Sequence, residues 1–171
     1  MYSLSSGNII LIGMPGVGKS TVGVILAKLS ARAFIDTDVL IQTAQQQPLQ
    51  DIVAAQGHLA LRAIEENVLL NLQCDNTVIA TGGSAVYSDA AMAYLRVLGV
   101  IVYLRLDLPT LEKRVGDFSL RGLAKRADQT FADLYVERTP LYERYAQLTV
   151  DCADKTPEQI SAEIVARLSV G

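Results

Sequence analysis

Along this chain, short runs of consecutive apolar residues alternate with longer stretches in which apolar positions recur every three to four residues. The short runs are Asn8–Ile12, Ala33–Ile35, Thr77–Ala80, Val100–Leu104 and Leu148–Val150. They are rich in Ile, Val and Leu without polar alternation, the pattern of strands covered on both faces. Helical spacing fills the gaps over Ser20–Ala31, Thr37–Ala44, Pro48–Gln56, His58–Gln73, Ser88–Val97, Pro109–Val115, Thr130–Ala146 and Pro157–Leu168. Pro48, Pro109 and Pro157 suit first-turn positions, and Ser88, Asp107 and Thr156 suit N-caps. Strands that alternate with helices predict an α/β fold: a five-stranded parallel sheet between two helical layers. One stretch, 116–128, has no period, two glycines and mixed charge, which predicts a loop of the kind that forms active-site lids.

Composition narrows the picture. The chain has 171 residues, half of them hydrophobic, which fits one domain over 1–171 with one core. Its net charge of −3 argues against a nucleic-acid partner. No apolar run approaches the ~20 residues of a membrane span, and the first residues lack the basic and apolar parts of a signal peptide. Cys74 and Cys152 are far apart and read as buried thiols of a cytoplasmic protein, here expected to be a monomer. With a single histidine, His58, a zinc site is not expected. The ten arginines outnumber the five lysines, a bias toward bidentate recognition of carboxylate and phosphate.

Between the first strand and first helix stands Gly13-Met14-Pro15-Gly16-Val17-Gly18-Lys19-Ser20, which fits G-x-x-x-x-G-K-[ST]. Glycines there let backbone N–H groups approach phosphate oxygens, the lysine adds a point charge, and the serine hydroxyl can ligate Mg²⁺. The strand before and the helix after are the context this chemistry requires, so the chain is expected to bind a nucleoside triphosphate. Ligands of such folds gather at the carboxyl ends of strands. After the second strand come Asp36 and Asp38, able to divide the tasks of serving the metal and orienting an attacking hydroxyl. One of them could instead simply cap the next helix. After the third strand, Gly82 and Gly83 can present N–H groups to an anion.

Further along, Arg62 and Glu65 are spaced either for a surface ion pair or for the acid to orient the arginine toward a carboxylate. Arg121 in the lid could stabilise a transferred phosphoryl group. Taken singly, Arg62, Arg121 and Arg138 read as solvated surface rather than ligands. His58 reads as structural or exposed, and the tyrosine pairs Tyr87/Tyr94 and Tyr142/Tyr145 as packing.

The segments GMPGVGKST, FIDTD, Gly57/Arg62/Glu65 as G-x-x-x-x-R-x-x-E, IATGGSAV, VYLRLDLPTLEKRV and RTPLYERYAQLTVD follow one another in order. Together they resemble the shikimate kinases, of the nucleoside-monophosphate-kinase-like P-loop group, over nearly the whole chain. The resemblance implies a P-loop kinase fold and transfer of the γ-phosphoryl of ATP to a hydroxyl of shikimate, in aromatic amino-acid biosynthesis. It implies that Gly13 to Thr21 hold the phosphates, with Lys19 central, and that Ser20 and Asp36 hold Mg²⁺. Asp38 would bind the acceptor hydroxyl and help accept its proton. Arg62 and Arg138 would clamp the acceptor carboxylate beside Gly82 and Gly83, and helices of about 37–73 would bind the acceptor. Arg121 matches a lid arginine, and Arg114 and Pro157 fall where the family sandwiches adenine.

Five positions depart from the family's pattern. Ser84 replaces the third glycine of a GGG turn, and Gly122 stands where the lid has proline. Leu61 replaces a phenylalanine, His58 a glutamate, and Val53 an aromatic. The nucleotide half is intact and the acceptor half altered. The departures leave open another small carboxylate-bearing hydroxy acid, such as gluconate. A non-catalytic ATP-binding regulatory module is the remaining alternative, although Lys19, Asp36, Asp38, Arg121 and Arg138 are all retained.

Overall fold

The computed structural model describes residues 7–116 and 122–169. Five strands form one parallel sheet in the order β2-β3-β1-β4-β5. β1 (Asn8–Ile12) lies at its centre, with every residue buried. In register, Ile9 pairs with Val78 of β3 (Thr77–Ala80) and Val100 of β4 (Gly99–Arg105); Ile10 pairs with Ile79 and Ile101. β2 (Ala33–Asp36) and β5 (Leu148–Asp151) are the edges. The uninterrupted runs of β1, β3 and β4 are buried as they predict, whereas the edge strands β2 and β5 are partly exposed.

The Asn8 side chain ties three strands together at their starts. Its Nδ2 donates to Cys74 O at 2.9 Å and Leu98 O at 3.0 Å, and its Oδ1 accepts from Thr77 N–H at 3.0 Å. A buried amide with all these bonds made fixes strand register; with fewer it would only cost desolvation.

The helices are α1 (Lys19–Leu29), α2 (Thr37–Gln45), α3 (Leu49–Gln56), α4 (His58–Leu70), α5 (Asp89–Leu98), α6 (Leu108–Arg114), α7 (Phe131–Tyr145) and α8 (Pro157–Ser169). A 3₁₀ turn, Ala85–Tyr87, follows β3. Ser88 and Asp107 cap α5 and α6, and Thr130 with Asp133 forms a capping box on α7. Thr156 Oγ1 accepts from Gln159 N–H at 3.2 Å, the cap expected for α8. Three expectations need correction. Pro48 precedes α3 rather than opening it. α1 and α4 end earlier than their periodicity runs, α1 because Ala31 turns to φ +53°. Cys152 is buried, but Cys74 is partly exposed.

The main core lies on the sheet. A second, smaller cluster of Ile41, Ile52, Leu61 and Ala124 packs α2, α3 and α4 together. The site forms at the carboxyl ends of β1, β2 and β3.

Candidate active site

The loop between β1 and α1 turns through left-handed backbone at Gly16 (φ +84°) and Gly18 (φ +99°). A Cβ on Gly16 would overlap the Val115 side chain, so only glycine lets the loop lie this close to the end of α6. Lys19 Nζ donates to Gly13 O at 2.7 Å and Met14 O at 3.0 Å, which holds the ammonium across the loop's mouth. Burial pulls the Lys19 ammonium down to about 8, against the opposing attraction of Asp38. Anionic phosphate placed there would raise it again. A cavity of ≈ 280 Å³ opens over this loop, lined by Pro15, Gly16, Gly18, Lys19, Ser20, Thr21, Asp38, Thr81, Gly83 and Leu123.

Asp36 caps the next helix, and its other oxygen faces Ser20. Its Oδ1 accepts from Asp38 N–H at 2.9 Å and Val39 N–H at 3.3 Å, capping α2. Its Oδ2 accepts from Ser20 Oγ at 2.5 Å. The expected pair of hard oxygen donors is thus adjacent. Two such oxygens fit a Mg²⁺ ion that takes its other ligands from phosphate and water. Among the described residues no cluster of three or more His, Cys, Asp or Glu competes for a metal.

Asp38, in the first turn of α2, faces a second, tighter cavity of ≈ 40 Å³, together with Ile41, Leu49, Leu61, Glu65, Gly82, Gly83, Ser84, Gly122, Leu123, Ala124 and Arg138. Burial raises the Asp38 carboxyl above the usual range; Lys19 opposes this and Asp36 adds to it. Asp38 and Gly83 line both cavities. One carboxylate therefore stands between the phosphate loop and the second cavity, where a proton acceptor for phosphoryl transfer has to be.

The second cavity corrects several readings. Arg138 is not surface: it is 1 % exposed, the largest fully buried side chain among the described residues. Its Nε donates to Tyr87 Oη at 3.2 Å and its Nη2 to Ala124 O at 3.1 Å. Arg62 is half-buried, donates Nη2 to the same Ala124 O at 3.2 Å, and stacks on the Tyr87 ring at 3.6 Å. Arg62 and Glu65 form neither of the arrangements expected of them. Glu65 is 3 % exposed, and its Oε2 accepts from Ser84 Oγ while its Oε1 has no partner among the described residues. Burial pushes this carboxyl up to about 7.

Gly82 does not offer its N–H to a ligand, because that group donates to Thr37 Oγ1 at 3.1 Å. It matters for another reason: a Cβ there would overlap Glu65 Oε1 and lie 2.9 Å from Asp38 Oδ1. The Gly83 carbonyl is held by Tyr142 Oη at 2.6 Å, and Tyr142 stacks on Tyr103 with centroids 5.2 Å apart. Tyr142 does pack, as expected. Tyr87 does not merely pack, since it touches both arginines. Leu61 lines the cavity, whereas Val53 packs in the apolar cluster rather than on the lining.

Arg114 ends α6 with its Nη1 donating to Val17 O at 3.4 Å, and Pro157 opens α8. His58 opens α4, partly exposed and away from the phosphate loop's lining. Arg121 lies outside the described residues. Thr37 and Glu137 are the site residues that sequence reading missed; Tyr87 reads there as packing alone, and Glu65 as a partner of Arg62 rather than of Ser84.

Two cavities sharing an aspartate, one over a phosphate loop and one lined by a buried arginine, are the layout of a small-molecule kinase. The family model for shikimate kinase matches residues 15–169. The chain belongs to the shikimate kinase family. A shikimate kinase of Rippkaea orientalis is 39% identical over 161 residues, 92% of this chain and 86% of that protein. Shikimate kinase 2 of an Enterobacter species is 34% identical, covering 94% of both chains. Among solved structures, shikimate kinase from Acinetobacter baumannii in complex with shikimate superposes with a TM-score of 0.86 at 29% identity, over 95% of this chain and 92% of that one. A gluconokinase from Sinorhizobium meliloti, at 20% identity and a TM-score of 0.52, shares the fold alone. Like other shikimate kinases, this chain is a P-loop kinase acting on a small molecule, with ATP as phosphoryl donor.

Proposed function

We propose that this chain transfers the γ-phosphoryl group of ATP to a hydroxyl of shikimate, a step of aromatic amino-acid biosynthesis. The observation that carries the reading is the position of Asp38, on the lining of both cavities. The Acinetobacter structure, solved with shikimate, supports the choice of acceptor.

In this reading Gly13 to Thr21 wrap the phosphates, with Lys19 on the transferred end. Ser20 and Asp36 would hold Mg²⁺, which would supply positive charge against the phosphates. Asp38 takes a hydrogen bond from the acceptor hydroxyl and receives its proton as the O–P bond forms. A carboxyl raised by burial is better matched to that task than an ordinary aspartate. Arg62 and Arg138 already share one oxygen, the Ala124 carbonyl. The acceptor carboxylate takes over those donors, with the Gly83 N–H alongside. A charged, bidentate partner replaces a neutral carbonyl, which favours the exchange. Binding in this way requires the carboxylate to displace the Ala124 carbonyl from between the two arginines. Arg121 is assigned to the transferred phosphoryl group, and Arg114 with Pro157 to the adenine.

The same reading takes 1–171 as one kinase domain acting as a monomer in the cytoplasm, with small molecules as its only partners. Among the described residues no helix is long and apolar enough to cross a membrane. A coupled ADP-release assay tests the acceptor. Shikimate should raise turnover far above the background ATPase, and gluconate should not. Shikimate-dependent turnover at background, or a preference for gluconate, would refute it.

A further inference from the structure

Tyr87 ends the 3₁₀ turn after β3, and no resemblance assigned it a role. The Arg62 guanidinium lies 3.6 Å above the centroid of its ring, within van der Waals contact. Among the described residues Arg62 makes no ion pair, its Nε is buried without a partner, and its one hydrogen bond is to the Ala124 carbonyl. The ring is therefore the main surface that fixes its plane. The Tyr87 hydroxyl donates its one proton to Glu137 Oε1, so toward Arg138 it can act only as acceptor. It accepts from Arg138 Nε at 3.2 Å. Glu137 is itself fixed: its Oε2 accepts from Gln129 Nε2 at 2.9 Å and faces Arg126 Nη1 at 3.8 Å.

We propose that Tyr87 is the positioning residue for both acceptor arginines, its ring orienting Arg62 and its hydroxyl orienting Arg138, so that their terminal N–H groups converge on one anionic oxygen site. The convergence is visible at Ala124 O, where Arg62 Nη2 arrives at 3.2 Å and Arg138 Nη2 at 3.1 Å. A flexible guanidinium binds a carboxylate well only when its plane is set beforehand. One tyrosine sets two planes, and its hydroxyl is anchored to Glu137 of α7. The inference rests on the proposed binding of the acceptor carboxylate by Arg62 and Arg138.

The test separates hydroxyl from ring. Tyr87→Phe keeps the ring but removes the hydroxyl, with its bonds to Arg138 and Glu137, and should lower kcat/KM for shikimate about tenfold, through KM. Tyr87→Leu removes the ring as well and should lower it about tenfold further. The KM for ATP should not move in either variant. In an Arg62→Met background the step from Phe to Leu should vanish, since no cation remains to stack. A rise in the KM for ATP alongside that for shikimate, or a Phe-to-Leu step of equal size in both backgrounds, would overturn the proposal.

A second measurement needs no acceptor. In the ligand-free protein the Arg62 Nε–Hε NMR resonance should be displaced upfield by the ring current, keep that displacement in Tyr87→Phe, and lose it in Tyr87→Leu. An ordinary shift in the unmutated protein would also overturn the proposal. A protein inert toward shikimate that still shows the displaced resonance would sink the proposed reaction and leave the positioning by Tyr87 in place.

Discussion

Asp38 and Glu65 are two carboxyls that burial raises in different settings, and they fit different tasks. Asp38 borders the phosphate cavity and has Lys19 to draw it back toward ionisation, so it can accept a proton. Asp38→Asn should leave ATP affinity near its original value and slow transfer by about 10²-fold or more, the scale of a lost general base. Unchanged turnover in rapid-quench measurements would remove Asp38 from its role. Glu65 is sealed, with one oxygen on Ser84 and the other unpartnered. Its carboxyl titrates at about 7 in the folded chain against an ordinary 4.5. Because the folded value is the higher one, the stability it contributes is complete below pH 4.5 and is lost as pH rises through 7. Glu65→Gln removes that loss. Its unfolding free energy should fall less steeply than that of the unmutated chain across the window, by up to about 1.4 kcal/mol per pH unit. Parallel stability curves from urea titrations at several pH values would contradict this.

At the scale of elements, the phosphate loop and the strands were legible because their signals are local. Gly13 to Ser20 is one contiguous motif, and each strand is one apolar run. Helix ends were less legible, since Ala31 leaves the helix by adopting positive φ, which no apolar period announces. The acceptor side was legible only in part. Arg62 and Arg138 were found through resemblance, but Arg138 looked like surface because its burial depends on Tyr87, fifty-one residues away. Ser84 looked like a lost glycine, and its reason is Glu65, nineteen residues earlier in the chain. Contacts of that range leave no periodic trace in a single sequence. Asn8 is another such case: a polar residue opening a buried strand, explained only by its bonds to Cys74, Leu98 and Thr77. Asn8→Ala should cost about 3 kcal/mol, because it strands buried backbone groups on both neighbouring strands. Turnover of the folded protein should not change. A urea midpoint equal to that of the unmutated chain would show that the clip contributes nothing.

Over the whole molecule, the sheet carries its strongest motif at the end of the central strand and places two differently built halves on either side. The nucleotide half hangs on backbone geometry and Lys19. The acceptor half hangs on side chains from α2, α4, the turn after β3 and α7, held by the small cluster around Ile41, Ile52 and Leu61. Departures from the family's pattern at Leu61, Ser84 and Gly122 all lie on the acceptor cavity's lining, so they bear on which acid fits and not on the nucleotide. The central claim is that the γ-phosphoryl group crosses from one half to a hydroxyl held in the other. Phosphorus NMR of the protein with MgATP and shikimate tests it most directly. The account predicts a phosphomonoester resonance that grows in step with ADP; ADP accompanied only by inorganic phosphate, or no ADP at all, would contradict it.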